Sequence, residues 1–267
     1  LLGGVLSVVV DLLDAPLNLG PGSQVNIALD GVNVLANGVS YPLVTYSSPQ
    51  IVNLLTLQQV GLSLQGTLPP GSYDALELVV DPTQSNVVTA NGTTYPMQFV
   101  MGNSPWGGHN HHHRNSSGNP ALVGLEAPVT FSGASGGSVS IAVDFNVLES
   151  VYLSNGVANV NANLAVATQP ASISGVVLNA AGQPVTSATV TATDANGKVD
   201  NVTTTASDGS FTLHALRAGP YTIGVLNSFT SASGNTVVAN GNDTSSGPSL
   251  SVDLSPSDQL NVGSLSD

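Results

Sequence analysis

The stretch SISGVVLNAAGQPVTSATVTATDANGK, residues 172–198, and its continuation TTTASDGSFTLHALRAGPYTIGV, residues 203–225, decide the fold class. The runs at 176–178, 188–193, 211–213 and 221–225 follow a period of two, which suits a half-buried strand and not a helix. Between them stand the turn formers Gly182-Gln183-Pro184, Asn196-Gly197 and Asp208-Gly209. Glycine in such pairs takes the left-handed backbone that a tight turn needs, and the Asn or Asp before it bonds to its own backbone. Short alternating runs with frequent turns predict antiparallel sheets packed as sandwiches rather than βαβ units.

The same signal continues outward toward the N-terminus. Val25, Ile27 and Leu29 alternate, and Val32 and Val34 resume the pattern after Gly31. Leu76, Leu78 and Val80 alternate around Glu77 and Val79, and Val139, Ile141, Val143 and Phe145 repeat the theme. The chain therefore reads as all-β. One short helix of about two turns is expected over residues 51–59, where Ile51, Leu54, Leu55 and Leu57 follow Ser47-Ser48-Pro49. A boundary is expected at 168–171, where one alternating run ends and another begins, giving domains at residues 1–169 and 170–267. Two segments are poor in apolar residues. Residues 102–120, GNSPWGGHNHHHRNSSGNP, read as a loop. Residues 228–248 read as a polar excursion with one strand at 236–239, before a last strand at 250–254.

Composition excludes several kinds of function. Three Lys and Arg (Arg114, Lys198, Arg217) stand against sixteen Asp and Glu, for a net charge of −13. So few cations cannot neutralise a phosphate backbone, so a nucleic-acid partner is excluded, and docking on an anionic membrane is disfavoured. Surface polarity comes instead from Ser, Thr, Asn and Gln, which do not titrate near neutral pH. Cysteine is absent, which removes disulfides and thiolate chemistry. No transmembrane segment is expected, since no run approaches about 18 apolar residues. The opening Leu1-Leu2-Gly3-Gly4, in place of Met, fits a processed precursor.

The glycines and turn pairs of residues 172–226 closely resemble those of the carboxypeptidase-regulatory-like domain, a transthyretin-like sandwich; Gly175 lies in its first strand and Tyr221 heads a later one. That resemblance implies a folding, adhesion or spacing module without catalytic residues. Residues 5–167 are similar to the domain of unknown function numbered 4382, found in surface lipoproteins of bacteria and archaea. The carrying segments are VLSVVVDLLDAPL at 5–17, VNLLTLQQ at 52–59, TLPPGSYDALELVVD at 67–81 and VSIAVDFNVLESV at 139–151. The opening carries two residues more than the family's pattern before Asp14-Ala15-Pro16. This second resemblance implies architecture and location, and no reaction.

Residues that could carry chemistry are few. His109, His111, His112 and His113 hold four of the five histidines. In an extended backbone His109, His111 and His113 fall on one side, where imidazoles suit Cu²⁺, Ni²⁺ or Zn²⁺. A solvated polar loop that happens to be His-rich is the other reading of the run, and no carboxylate lies nearby in sequence to orient the rings. Glu77 and Asp81 share a strand face, yet paired surface acids at strand ends are ordinary. Asp194 to Asp200 echoes a calcium loop without its final Glu, so a turn explains it better. No G-x-S-x-G elbow supports a serine nucleophile, and His214 falls in a strand. No enzyme is expected, and no cofactor beyond a metal at the His run. Asn91, Asn115, Asn201 and Asn242 head Asn-x-Ser/Thr sequons and are glycosylation candidates.

These features predict an extracellular, cell-surface structural or adhesive protein. Its expected partners are further copies of itself, as a homopolymer, or other surface components. Residues 1–10, apolar and hinged at Gly3-Gly4, read either as the first strand of their own domain or as a strand donated to a neighbour's sheet, building a filament. The alternative is an envelope-attached metal- or carbohydrate-binding module, for which Trp106 is the single tryptophan available.

Overall fold

The computed structural model describes residues 5–13, 22–57, 62–103, 109–113, 122–226, 228–230, 236–238 and 246–266. Their regular structure is almost wholly strand, arranged as two β-sandwich domains in tandem. The N-terminal domain packs a four-stranded sheet on a ten-stranded one. In the smaller sheet the order is Leu164–Thr168, Ser138–Phe145, Leu6–Leu13, Leu62–Leu68. Leu6–Leu13 runs parallel to Ser138–Phe145 and antiparallel to Leu62–Leu68. Leu6, Val8, Val10 and Leu12, all on one face by alternation, are 0% exposed. A strand paired along both edges and buried on one face is the middle of its own sheet. Residues 6–13 thus take the first of the two readings, a strand of their own domain, and residues 1–4 lie outside the described residues.

The larger sheet centres on Gln24–Ala36, Gly71–Val80 and Leu122–Gly133. Val25, Ile27, Leu29, Val32 and Val34 are all fully buried although the first three are odd-numbered and the last two even. A register shift between Leu29 and Gly31, seen against both neighbouring strands, accounts for this. One extra residue in a strand reverses the face to which every later side chain points.

Three local expectations are corrected here. Residues 51–57 are not helical as expected: Val39–Asn53 is a strand and Leu54–Thr56 a 3-10 segment capped by the Asn53 side chain, while residues 58–59 lie outside the described residues. A four-residue α-helix occurs instead at Val147–Ser150, where Asn146 accepts from the Glu149 N–H. The supposed loop at 102–120 contributes strands Gly102–Asn103 and His109–His113, the latter paired antiparallel with Leu122–Gly133.

The C-terminal domain has its own core of Ile173, Val190, Phe211, Leu213, Ile223 and neighbours. One sheet runs Ser210–Leu216, Ala171–Leu178, Gln259–Ser266, the other Val199–Thr204, Thr189–Asp194, Gly219–Leu226, Ser246–Leu254. Gln259–Ser266 is a strand beyond the expected last one, and it pairs parallel with Ala171–Leu178. Thr236–Val238 forms a small hairpin with Ser228–Thr230. A glycine is required at 175: an added Cβ would sit 2.8 Å from the Phe211 ring and 2.9 Å from the Gly263 carbonyl oxygen.

The two domains touch through polar groups. The Asn201 amide donates to the Asp144 carboxylate and, at 2.7 Å, to the His214 carbonyl. Asn146 donates to the Val202 carbonyl at 3.4 Å, and Arg217 Nε to the Val166 carbonyl at 3.4 Å. Asp144, Asn146 and Asn201 are all buried.

Candidate functional site

The feature that sequence distance concealed lies on the face of the large sheet opposite its core. Residues directly opposite in a ladder share a face. Asn33 faces Glu77, Glu77 faces Glu126, and Glu126 faces His109, so these four form one row across four strands. The adjacent row is Val79, Gly124 and His111. Gly124 presents no side chain, so the His111 imidazole crosses over the Leu122–Gly133 strand and reaches Glu77 on the strand beyond. His111 Nε2 lies 2.8 Å from Glu77 Oε1, and the Asn33 amide donates to Glu77 Oε2 at 2.7 Å. Glu77 is 1% exposed. It is no ordinary surface acid, and it supplies the carboxylate that the neighbouring sequence lacks.

The His run divides across its strand. His109 and His111 stack with ring centroids 5.6 Å apart. Asn110 points to the other face, where it is buried and donates to the Val100 carbonyl at 2.9 Å. His112 shares that other face and is exposed. His113 pairs with Leu122 in the backbone ladder. Among the described residues, no three His, Asp or Glu side chains already converge on one point as a metal would require. Trp106 and Arg114 lie outside the described residues.

The remaining acids serve the backbone. Asp74 accepts from the Asn37 N–H at 2.8 Å. Burial raises the Asp81 carboxyl, but hydrogen bonds from Thr83 and Gln84 outweigh it and hold the group below its usual value. Asp81 therefore closes a turn after the Gly71–Val80 strand. Asp194 accepts the N–H groups of Lys198 and Asn196, the first of these contributing most to a lowered carboxyl, as a β-turn and not a calcium loop. His214 lies in Ser210–Leu216, as expected, and lines a cleft of about 260 Å³ with Asp11, Pro170 and Gln259 at the domain junction. A wider cleft of about 470 Å³ opens between Val129, Thr168, Arg217 and Pro256.

Among the sequons, Asn91 is exposed in a turn, where its side chain accepts from the Thr93 N–H at 3.0 Å. Asn201 is 1% exposed in the folded chain, and its amide donates across the domain junction. Asn115 and Asn242 lie outside the described residues.

The family model described as Domain of unknown function (DUF4382) matches residues 7–164, and that of the Carboxypeptidase regulatory-like domain matches residues 172–254. No curated protein matches the chain. Among solved structures, the Bacillus anthracis TIE protein is similar over 99% of this chain and 34% of its own, at 11% identity and a TM-score of 0.29. This chain thus spans about a third of that protein. The shaft pilin SpaA from Lactobacillus rhamnosus GG is similar over 98% of this chain and 97% of its own, at 11% identity and a TM-score of 0.27. BcpA, the major pilin subunit of Bacillus cereus, gives 98% and 69%, at 10% identity and a TM-score of 0.26. Superpositions this loose carry no argument about the chain's role.

Proposed function

Since the chain belongs, through residues 7–164, to the family of the domain of unknown function 4382 and carries a carboxypeptidase regulatory-like domain at 172–254, we propose that it is a non-enzymatic structural protein of the cell surface. In this reading the two sandwiches, divided at residues 168–171, work as a single stiff unit that presents or spaces other surface components. The observation that carries the reading is the buried polar joint. Asp144 and Asn201 meet across the junction, and the second domain's Val202 accepts from Asn146 of the first. A buried carboxylate is tolerated only where its partner is held in register, so this joint favours one relative orientation of the domains over a free hinge. A surface deficient in Lys and Arg, and polar through Ser, Thr and Asn, is insensitive to salt and suits an extracellular setting.

Self-assembly is a finer part of this proposal. Leu6–Leu13 already fills the middle slot of its own sheet. Strand donation is therefore compatible with this topology as an exchange, in which each copy supplies that strand to its neighbour's identical slot. No helix among the described residues is long and apolar enough to cross a membrane.

The test is protease treatment of intact source cells, followed by electron microscopy of the released native protein. Loss of the protein from intact cells, with particles of one fixed two-domain length or filaments built from them, is the expected result. A protein protected from external protease in intact cells sinks the surface assignment. Particles with freely varying inter-domain angles sink the stiff unit.

A further inference from the structure

The wider junction cleft, of about 470 Å³, has in its wall Arg217, one of only three cations in the chain. We propose that this cleft binds the carboxylate of a uronic acid residue, one acidic sugar within an otherwise neutral saccharide, with Arg217 as its anchor. The site rests on the stiff two-domain reading above, because its walls come from both domains: Thr130 and Gln169 from the first, Arg217 and Pro256 from the second.

Arg217 is exposed, and its Nε donates to the Val166 carbonyl at 3.4 Å, which is long for such a bond. Among the described residues no carboxylate forms an ion pair with it. The acid nearest in the wall, Asp200 of the smaller adjoining cleft, is engaged elsewhere. Lys198 Nζ lies 3.6 Å from its Oδ1, and the Tyr221 phenol donates to its Oδ2 at 3.0 Å. A guanidinium is a planar fork of N–H donors that matches a carboxylate with two parallel bonds. With Nε turned to Val166, the two terminal nitrogens remain for such a pair.

The rest of the cleft fits a sugar ring. Val129 and Val166 give it an apolar floor, while Thr130, Thr168 and Gln169 bring hydroxyl and amide groups that both donate and accept. A pyranose has the same two characters, an apolar C–H face and hydroxyls that donate and accept. Small-ligand clefts run to about 300–1,000 Å³ and favour domain interfaces, so the volume suits a single ring or a short run of them. An extended peptide would instead take main-chain bonds from an open strand edge. The strand here offers little to such a partner, since Val166 and Ala167 are 2% and 1% exposed. A net charge of −13 repels a run of carboxylates, so the ligand is one acid among neutral sugars.

The test is an NMR titration of the isotope-labelled full chain with methyl glucuronide, methyl glucoside and N-acetylaspartate amide as probes. The first two differ only in a carboxylate against a hydroxymethyl group. Methyl glucuronide should move the amide signals of Thr130, Thr168, Gln169 and Arg217 with a Kd of about 1 mM. It should bind at least about tenfold more tightly than methyl glucoside. Arg217→Gln should weaken it at least about tenfold, and Lys198→Gln by less than about threefold. Arg217 is exposed, so Arg217→Gln should fold, as its own spectrum records, and the glucuronide–glucoside comparison needs no variant. The proposal is overturned by no binding below about 10 mM, by equal binding of the glucoside, or by wild-type affinity in Arg217→Gln. An equal loss in Lys198→Gln also overturns it, since the cleft would then answer to charge alone. N-acetylaspartate amide binding as tightly as the glucuronide overturns the sugar and makes the cleft a seat for an acidic side chain of a protein partner. These titrations use the purified chain, so they can fail while the surface assignment, judged on intact cells, and the stiff unit, judged by particle shape, both stand.

Discussion

Two buried carboxylates in this chain are held in contrasting ways. Asp144, fully buried at the domain junction, receives the side-chain amide of Asn201. Glu77, nearly as buried on the sheet face, is contacted by the Asn33 amide and by the His111 imidazole. An amide has one protonation state and cannot donate a lone pair from nitrogen, so it can only hold a carboxylate in place. An imidazole can change its proton and can bind a metal. The Asp144–Asn201 pair is thus suited to a fixed joint, and the Glu77–His111 pair to a responsive surface. The exposure of the partner fits this division. Asn201 is 1% exposed, whereas the His111 side chain is 33% exposed.

The comparison breaks most visibly at the joint. Asn201→Ala removes the amide and leaves the Asp144 carboxylate short of a donor in a buried site. Hydrogen bonds to charged groups contribute about 1.5–3 kcal/mol each, and losing one in a buried site removes that contribution. A loss of about 2–4 kcal/mol is expected in urea unfolding, with the single transition of the native chain separating into two as the domains uncouple. One unshifted transition in Asn201→Ala would show that the joint rests on other contacts.

On the responsive side the lever is Gly124. The His111 ring reaches Glu77 because position 124, its neighbour in the ladder, has no side chain. Gly124→Val puts two methyl groups into that lane while suiting strand geometry. Loss of the Glu77–His111 contact should lower stability in urea unfolding by about 1.5 kcal/mol, with the fold preserved by circular dichroism. Unchanged stability in a folded Gly124→Val chain would mean that the ring does not need the lane.

How much of this was legible beforehand depended on the range of each interaction. Asp208-Gly209 and Asn196-Gly197 are local turns, and alternation in Leu76, Leu78 and Val80 is read within a few residues, so the all-β class and both family resemblances followed from sequence. Pairing is not local. His109–His113 contains no apolar side chain and forms a strand because Leu122–Gly133 offers it an edge. Gln259–Ser266 was missed although Leu260 and Val262 alternate, since its half-buried residues pack only when laid beside Ala171–Leu178. Glu77 and His111 are joined across an intervening strand through a glycine, which no spacing rule anticipates. Glu77 in an otherwise apolar run was the one available signal, an acid at a position that the sheet might be expected to bury.

A third carboxylate sharpens the contrast with the smallest effect. Tyr221 donates its phenol to Asp200 Oδ2 at 3.0 Å, and Lys198 Nζ lies 3.6 Å from Asp200 Oδ1. Burial, and then the Asp200 charge, push the Tyr221 phenol well above its usual value, because both disfavour the phenolate. A group whose folded value is raised contributes stability that is fully present below its unfolded value, here about pH 10, and is lost as pH rises through the folded value. The native chain should therefore lose stability above about pH 10 with a slope of at most about 1.4 kcal/mol per pH unit from this residue. Tyr221→Phe cannot form a phenolate. It should cost about 1 kcal/mol near neutral pH through the lost hydrogen bond, and the gap to the native chain should shrink as pH climbs past 10. Urea melts of both proteins between pH 7 and 11 measure that gap directly. A gap that stays constant across the range would show that the fold does not hold the Tyr221 phenol protonated.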